Sequence, residues 1–253
     1  MTYCVGMMLD SGLVLMSDTR TNSGVDNISV FRKMHCWSIP GQRIITVLTA
    51  GNLATTQAVV SKLEERNKAP DERHNGLLEA PTMFQVATLV GALLRDTIDT
   101  IRDSNMQQAS STFNASMIVS GQIKGMEPRL FLVYPEGNFI EASFDTPFFQ
   151  IGETKYGRPI LLRAYDRRMT FEEAVKLLMV SFDSTLKANL SVGLPLDMMV
   201  IARDTFAPLH ERRIDSRDSY FRKVSSGWGE ALKKAFDDLP DYSFLVDYDS
   251  APN

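Results

Sequence analysis

Strand-like and helix-like segments come in blocks along this chain, and their order limits the available folds more than any single residue does. The first fifty residues read as β. "TYCVGMML" and "GLVLMSD" are short apolar runs separated by "DSG", a hairpin signal. "ISVFRKMHCWSI" alternates as a third strand, and after "PGQR" the β-branched "IITVLTA" supplies a fourth. The apolar period then becomes helical in "NLATTQAVVSKLEERNKA", with Asn52 as its N-cap, and again in "TMFQVATLVGALLRDTIDTIRD", capped at or just before Thr82. Strands return in "NASMIVSGQI", "PRLFLVYPEG" and "FFQIG". "TFEEAVKLLMVSFDSTLKAN" is a third helix, with Thr170 and Glu173 forming a capping box. "LDMMVIARD" and "APLHERRI" predict a closing hairpin, and "SGWGEALKKAFDDL" a short last helix before a polar tail.

Strand blocks and helix blocks segregated in this way have no regular βαβ alternation and no repeat of solenoid length. They predict an α+β protein: two stacked antiparallel sheets covered by helices. With 253 residues and no Pro/Gly-rich linker, one large domain is expected. We draw it over 1–215, with a helical extension over 216–253 that packs on the domain or on a neighbouring subunit. In that extension Trp228, Leu232 and Phe236 recur at four-residue spacing as an apolar stripe, followed by Tyr242, Phe244 and Leu245.

A net charge of -4 and the lack of a basic stripe give no footprint for nucleic acid. No apolar run reaches the roughly 18 residues that span a bilayer. Asp10 and Gly12 interrupt the first apolar stretch and no basic region precedes it, so a secretory signal is not expected. Two cysteines and three scattered histidines make neither a disulfide framework nor a transition-metal cluster. The expectation is a cytoplasmic protein without metal or cofactor.

Common catalytic motifs are absent: G-x-S-x-G, H-E-x-x-H and both glycine-rich phosphate loops are missing. With so few histidines, a hydrolase built on this chain needs another base. Removal of Met1 leaves Thr2 first, at the edge of a core strand. A threonine hydroxyl is a weak nucleophile, but a free α-amino group titrates near 8 and can serve as its base within the same residue. A lysine nearby would lower the hydroxyl pKa and favour the neutral amine, and an aspartate would hold that lysine charged. Asp18 and Arg20 in "SDTR" and Lys33 in "FRKM" are candidates at strand ends. Singly, each is more often a solvated turn residue, and a Met-Thr start is incidental more often still.

Taken together, "T-x-x-x-G" at the start, "SDTRTNSG", "FRKMH" and "LTAGNLATTQAV" resemble the threonine-type β subunits of proteasomes, and within them the bacterial ancestral-β-subunit branch called Anbu. The similarity runs from Thr2 to about Asp204. It implies the four-layer αββα sandwich of N-terminal-nucleophile hydrolases, and threonine-type hydrolysis of peptide or amide bonds. By position, the resemblance puts Thr2 on the nucleophile, Asp18 and Lys33 on the acid-lysine pair, and Arg20 on the arginine that buttresses the loop. It puts Gly51 on the glycine whose N–H forms the oxyanion hole. Thr21, Phe31, His35, Thr49 and Leu53 fall near positions that line the substrate pocket. It also implies a homo-oligomer, as a ring or an open helical stack.

Two segments depart from the family pattern. In "IGETKYG", Glu153 or Thr154 stands where proteasomes place a serine beside the nucleophile. In "KANLSVG", Ser191 matches a family serine, but Ala188 occupies the place of an acid. One carboxylate is extra and one is missing, so the hydrogen-bond network around the amine should differ from a proteasome's. A non-catalytic assembly subunit that kept the fold, and an unrelated ligand-binding α+β domain, stay open as alternatives.

Overall fold

The computed structural model describes residues 2–22, 28–68, 76–104 and 113–244; Met1 and Leu245 lie outside them. Two five-stranded antiparallel sheets face each other. The first has the order β10 (Phe148–Gly152), β1 (Tyr3–Leu9), β2 (Gly12–Asp18), β11 (Leu196–Ala202), β12 (His210–Ile214). In the second, β5 (Met34–Ile39), β6 (Arg43–Gly51), β7 (Ala115–Ile123), β8 (Arg129–Val133) and β9 (Phe139–Glu141) follow in chain order.

The inner strands are apolar on both faces because both faces are covered. Along β1, Tyr3, Val5, Met7 and Leu9 point to the helix side and share a core with Val14, Leu178 and Phe182. Cys4, on the opposite face, joins Leu13, Leu15, Ile44, Leu48 and Ile118 in the layer between the sheets. A third cluster buries Ile45, Val47, Met117 and Val119 under Val59, Leu63, Val86 and Leu94. Helices α1 (Leu53–Lys68) and α2 (Met83–Ser104) therefore cover the second sheet. The other outer layer is α3 (Arg158–Ala164), α4 (Phe171–Ala188) and α5 (Ser219–Asp237). This is the αββα sandwich that the block order predicts.

The caps fall where the sequence puts them. Asn52 Oδ1 accepts from the Thr55 N–H at 3.0 Å, and Thr82 Oγ1 from the Gln85 N–H at 3.2 Å. Thr170 and Glu173 close the capping box on α4.

Other elements differ from expectation. "ISVFRKMHCWSI" is two strands: β4 (Ile28–Val30) pairs with β3 (Arg20–Asn22) in a separate ribbon, and β5 begins only at Met34. The break falls at Phe31–Lys33, where the Phe31 N–H donates to Thr19 O at 2.9 Å and turns the chain toward the end of β2. Both β9 and α3 are short additional elements. Helix α5 starts at Ser219, seven residues before the predicted "SGWGE" segment, with the Asp218 side chain capping the Phe221 N–H. Its first turns pack on the core through Phe221 and Val224. Beyond Trp228, which is half-buried, the expected stripe leaves the domain: Leu232 is 50% and Phe236 75% exposed, and Tyr242 and Phe244 follow in solvent.

Candidate active site

Thr2 precedes β1 at one end of the first sheet, where four chain segments meet. Its carbonyl accepts from the Glu153 N–H at 2.6 Å, just past the end of β10. That contact needs Gly152: its φ is +82°, and a Cβ there would lie 2.1 Å from Thr2 O. The residue after Thr2 is held from the other side, where the Tyr3 N–H donates to Asp18 Oδ1 at 2.9 Å.

Asp18 ends β2 with no exposure to solvent. The same Oδ1 accepts from Lys33 Nζ at 2.8 Å, and Oδ2 from the Gly193 N–H at 3.4 Å. Burial raises the Asp18 carboxyl pKa, while the Lys33 ammonium and the two backbone donors draw it back down. Lys33, 4% exposed, also donates to Arg20 O at 2.6 Å. Its own backbone is fixed by the Thr49 N–H, which donates to Lys33 O at 2.9 Å. The strand break noted above is what allows this. A continuous strand would carry Lys33 along the β5 edge; the Phe31 turn instead folds it over the end of β2.

A cavity of about 840 Å³ opens on Thr2. Thr21, Phe31, Lys33, His35, Thr49, Gly51 and Leu53 line it, so the expected pocket residues come together around Thr2. Burial lowers the His35 pKa, which favours its neutral imidazole, and Arg32 and Lys33 bring positive charge to the same cavity. Gly51 closes β6 at φ +114°, and a Cβ there would meet Asn114 O at 2.4 Å. It sits directly before the Asn52 cap of α1, where the helix dipole adds to the positive potential of the backbone amides. Thr56, Gln57, Val60 and Ser61 from the first turns of α1 complete the wall. These four escaped the sequence reading; the helical spacing from Leu53 through Thr56 to Val60 was the available signal.

Arg20, Ser191 and Glu153 do not line this cavity. Arg20 Nη1 donates to Leu190 O at 3.1 Å, and its guanidinium lies so close over Gly193 that a Cβ there would be 2.1 Å from Cζ. It thus holds the turn after α4 that carries Ser191. Of the two residues at the departure in "IGETKYG", Glu153 is buried and Thr154 exposed. Asn189, which the sequence reading left without a role, links Glu153 to Ser191: its Nδ2 donates to Glu153 Oε2 at 3.0 Å, and its Oδ1 accepts from the Ser191 N–H at 3.0 Å.

Residues 2–201 match the proteasome subunit family. The chain belongs to that family. A proteasome subunit beta from Methanopyrus kandleri is 23% identical over 207 residues, covering 80% of this chain and 88% of the relative. The match to solved structures is closer and lies in the ancestral-β branch. Anbu from Yersinia bercovieri superposes with a TM-score of 0.89 at 46% identity, over 96% of this chain and all of the other. A helical assembly of the Anbu complex from Pseudomonas aeruginosa gives 0.90 at 40% identity, over 97% of this chain and all of the other. Anbu from Hyphomicrobium sp. strain MC1 gives 0.86 at 48%, with 96% of this chain covered. The four-layer fold and the Anbu branch are therefore shared along nearly the whole chain.

Proposed function

We propose that this proteasome-type subunit is a threonine hydrolase of peptide or amide bonds, active once Met1 is removed. The observation that carries the proposal is the buried Asp18–Lys33 pair: a lysine 4% exposed, held 2.8 Å from a fully buried carboxylate, at the edge of the cavity that Thr2 lines. An assembly subunit without chemistry has no use for two desolvated charges at that point, since buried ion pairs add little stability over apolar packing.

In this reading the α-amine of Thr2 takes the hydroxyl proton as Oγ1 attacks the substrate carbonyl carbon. Lys33 favours the alkoxide and the neutral amine electrostatically, and Asp18 keeps the lysine charged and oriented. The Gly51 N–H stabilises the developing oxyanion. The protonated amine then gives its proton to the leaving nitrogen as the C–N bond breaks, leaving an ester on Thr2. Water, deprotonated by the same amine, hydrolyses that ester.

We assign assembly to the extension at 216–253: a helix whose second half exposes Leu232 and Phe236 fits a second copy of the chain better than solvent. Among the described residues no helix is long and apolar enough to cross a membrane. Two free thiols fit a reducing compartment such as the cytoplasm, and a weak negative charge gives no footprint for nucleic acid.

The test is the intact mass of purified protein after incubation with a peptide epoxyketone, which bonds to both the hydroxyl and the amine of an N-terminal threonine. One inhibitor mass added to wild type, and none to Thr2→Ala, is the expected result. An unchanged wild-type mass on protein shown to begin at Thr2 would favour the assembly-only alternative.

A further inference from the structure

Glu153 is a buried acid that the catalytic reading above leaves without work. Its backbone N–H pins the Thr2 carbonyl at 2.6 Å, so its main chain is in direct contact with the residue that bears the amine. Each oxygen of its carboxylate accepts one hydrogen bond. Oε1 takes the Lys155 N–H at 2.8 Å and Oε2 takes Asn189 Nδ2 at 3.0 Å. Both partners are neutral donors, so the hydrogen bonds satisfy the carboxylate without cancelling its charge. Asn189 then passes the contact to the Ser191 N–H at 3.0 Å, on the same turn whose Gly193 N–H reaches Asp18. A continuous chain of hydrogen bonds thus clasps the end of β10 to the turn after α4, around Thr2.

The charges at this corner can be counted. Asp18 and Lys33 form an ion pair, and Lys33 is the member that lines the Thr2 cavity. Tyr3, on β1, is a neutral phenol whose pKa burial raises to about 12, with a smaller upward push from Glu153. Burial likewise keeps the Cys4 thiol protonated. Residues 189–193 carry no charge, and Arg20 lies across that turn with its Nη1 on Leu190 O. Lys155 contributes its backbone amide to this network. Arg20 is a cation on the far turn and Arg32 one on the wall of the Thr2 cavity, and Glu153 is the anion whose own backbone is bonded to Thr2.

Resting on the hydrolase reading, we propose that Glu153 is a positioning residue that clasps the Thr2 main chain and supplies the negative charge that strengthens the Thr2 α-amine as a base. A carboxylate beside the amine stabilises its protonated form, the form it must adopt when it takes the hydroxyl proton. It opposes Lys33, which favours the neutral form. The two charges together set the pH at which the amine is both free to accept a proton and strong enough to do so. Asn189 keeps the carboxylate from swinging to solvent.

The experiment uses full-length protein trimmed to Thr2, with the new N-terminus confirmed by mass, as wild type, Glu153→Gln and Glu153→Asp. Two rates are measured against pH. One is labelling by the peptide epoxyketone. The other is periodate cleavage of the bond between the amine-bearing and hydroxyl-bearing carbons of Thr2, which needs a neutral amine but no hydrolase chemistry. In Glu153→Gln the acid limb of both profiles should move down by about one pH unit, with the labelling plateau falling by up to about tenfold. Glu153→Asp should keep the wild-type limb. Unmoved limbs in a folded Glu153→Gln protein, or the same shift in Glu153→Asp, would overturn the proposal. If Glu153→Gln does not fold, Glu153→Asp decides: a limb shifted at low salt overturns the proposal, and an unshifted limb that added salt moves down supports it. Wild type that resists epoxyketone while the periodate limb shifts as expected would reject the hydrolase reading and leave the role of Glu153 on the amine standing.

Discussion

Lys33 Nζ stands 2.8 Å from Asp18 Oδ1, and the two side chains are 5% and 0% exposed. A pair this deep is costly to break from one side, because the remaining charge stays buried without its partner. Lys33→Ala should therefore destabilise the fold by about 3–5 kcal/mol as well as lower turnover. Denaturant unfolding and epoxyketone labelling, run on the same preparation, check both.

The pH dependence of that loss has a definite sign. Burial raises the folded-state pKa of Asp18 above its unfolded value, and Lys33 is the largest opposing influence. Without Lys33 the folded pKa rises further, so stability present below the unfolded value is lost as pH climbs through the folded one. The stability gap between wild type and Lys33→Ala should be widest near neutral pH and narrow below about pH 4, where the carboxyl is protonated in both folded and unfolded chains. A gap that widens toward acid would contradict this picture of the pair.

Thr2→Ala should abolish labelling and turnover while leaving unfolding within about 1 kcal/mol of wild type. The anchoring bonds at this end are backbone ones, from the Glu153 N–H to Thr2 O and from the Tyr3 N–H to Asp18. Retained turnover, on any substrate that wild type cleaves, would remove Thr2 from the mechanism.

Gly152→Ala should be more disruptive than its size suggests. The backbone there is in the left-handed region, and the new methyl would press on Thr2 O. A cost of about 1–3 kcal/mol is expected. Labelling should fall by more than the unfolded fraction explains, because the methyl displaces the nucleophile itself. Comparing the labelling rate with the folded fraction at one temperature separates the two effects.

Leu232→Asp combined with Phe236→Asp should break large assemblies into smaller ones while leaving cooperative unfolding intact, since both side chains face solvent in the subunit. Light scattering reads the result directly. Deletion from Ser225 should do the same, but it also removes Trp228, half-buried beside Met169 and Leu177, and so carries a stability cost. An unchanged assembly mass in the double variant would put the contact elsewhere.

The parts of this fold that were legible in sequence are those where burial imposes a period. Strands β1, β2, β6 and β7 and helices α1, α2 and α4 each bury long apolar faces, and their caps are made by local side chains. Helix α3 hid because only Leu161 of its seven residues is fully buried. The β3–β4 ribbon has three residues per strand and stands outside both sheets, and the alternation of "ISVFRKMHCWSI" ran β4 into β5 across the break. At the site, Asp18 and Lys33 were visible as residue types at strand ends. Asn189 was not, because its importance lies in bridging two segments 36 positions apart. Glu153 could be seen as a departure from pattern, but its burial depends on how β10 ends.

The strand that carries Thr2 also fixes when the site can come into being during synthesis. Strand β1 finds its first partner, β2, at once; its other neighbour, β10, begins at Phe148, and β2 waits for β11 at Leu196. Asp18 does not receive its Gly193 contact until that stretch has left the ribosome. At about 5–20 residues per second, roughly 10–40 s separate the emergence of Thr2 from that of β11. Throughout this interval the site around Thr2 is incomplete, which in the proposed mechanism is when Met1 is removed. Folding then buries Thr2 to 9% exposure. In the proposed mechanism this topology orders events in time: Met1 can be removed before the site closes, and Thr2 meets its partners only when the chain is nearly complete.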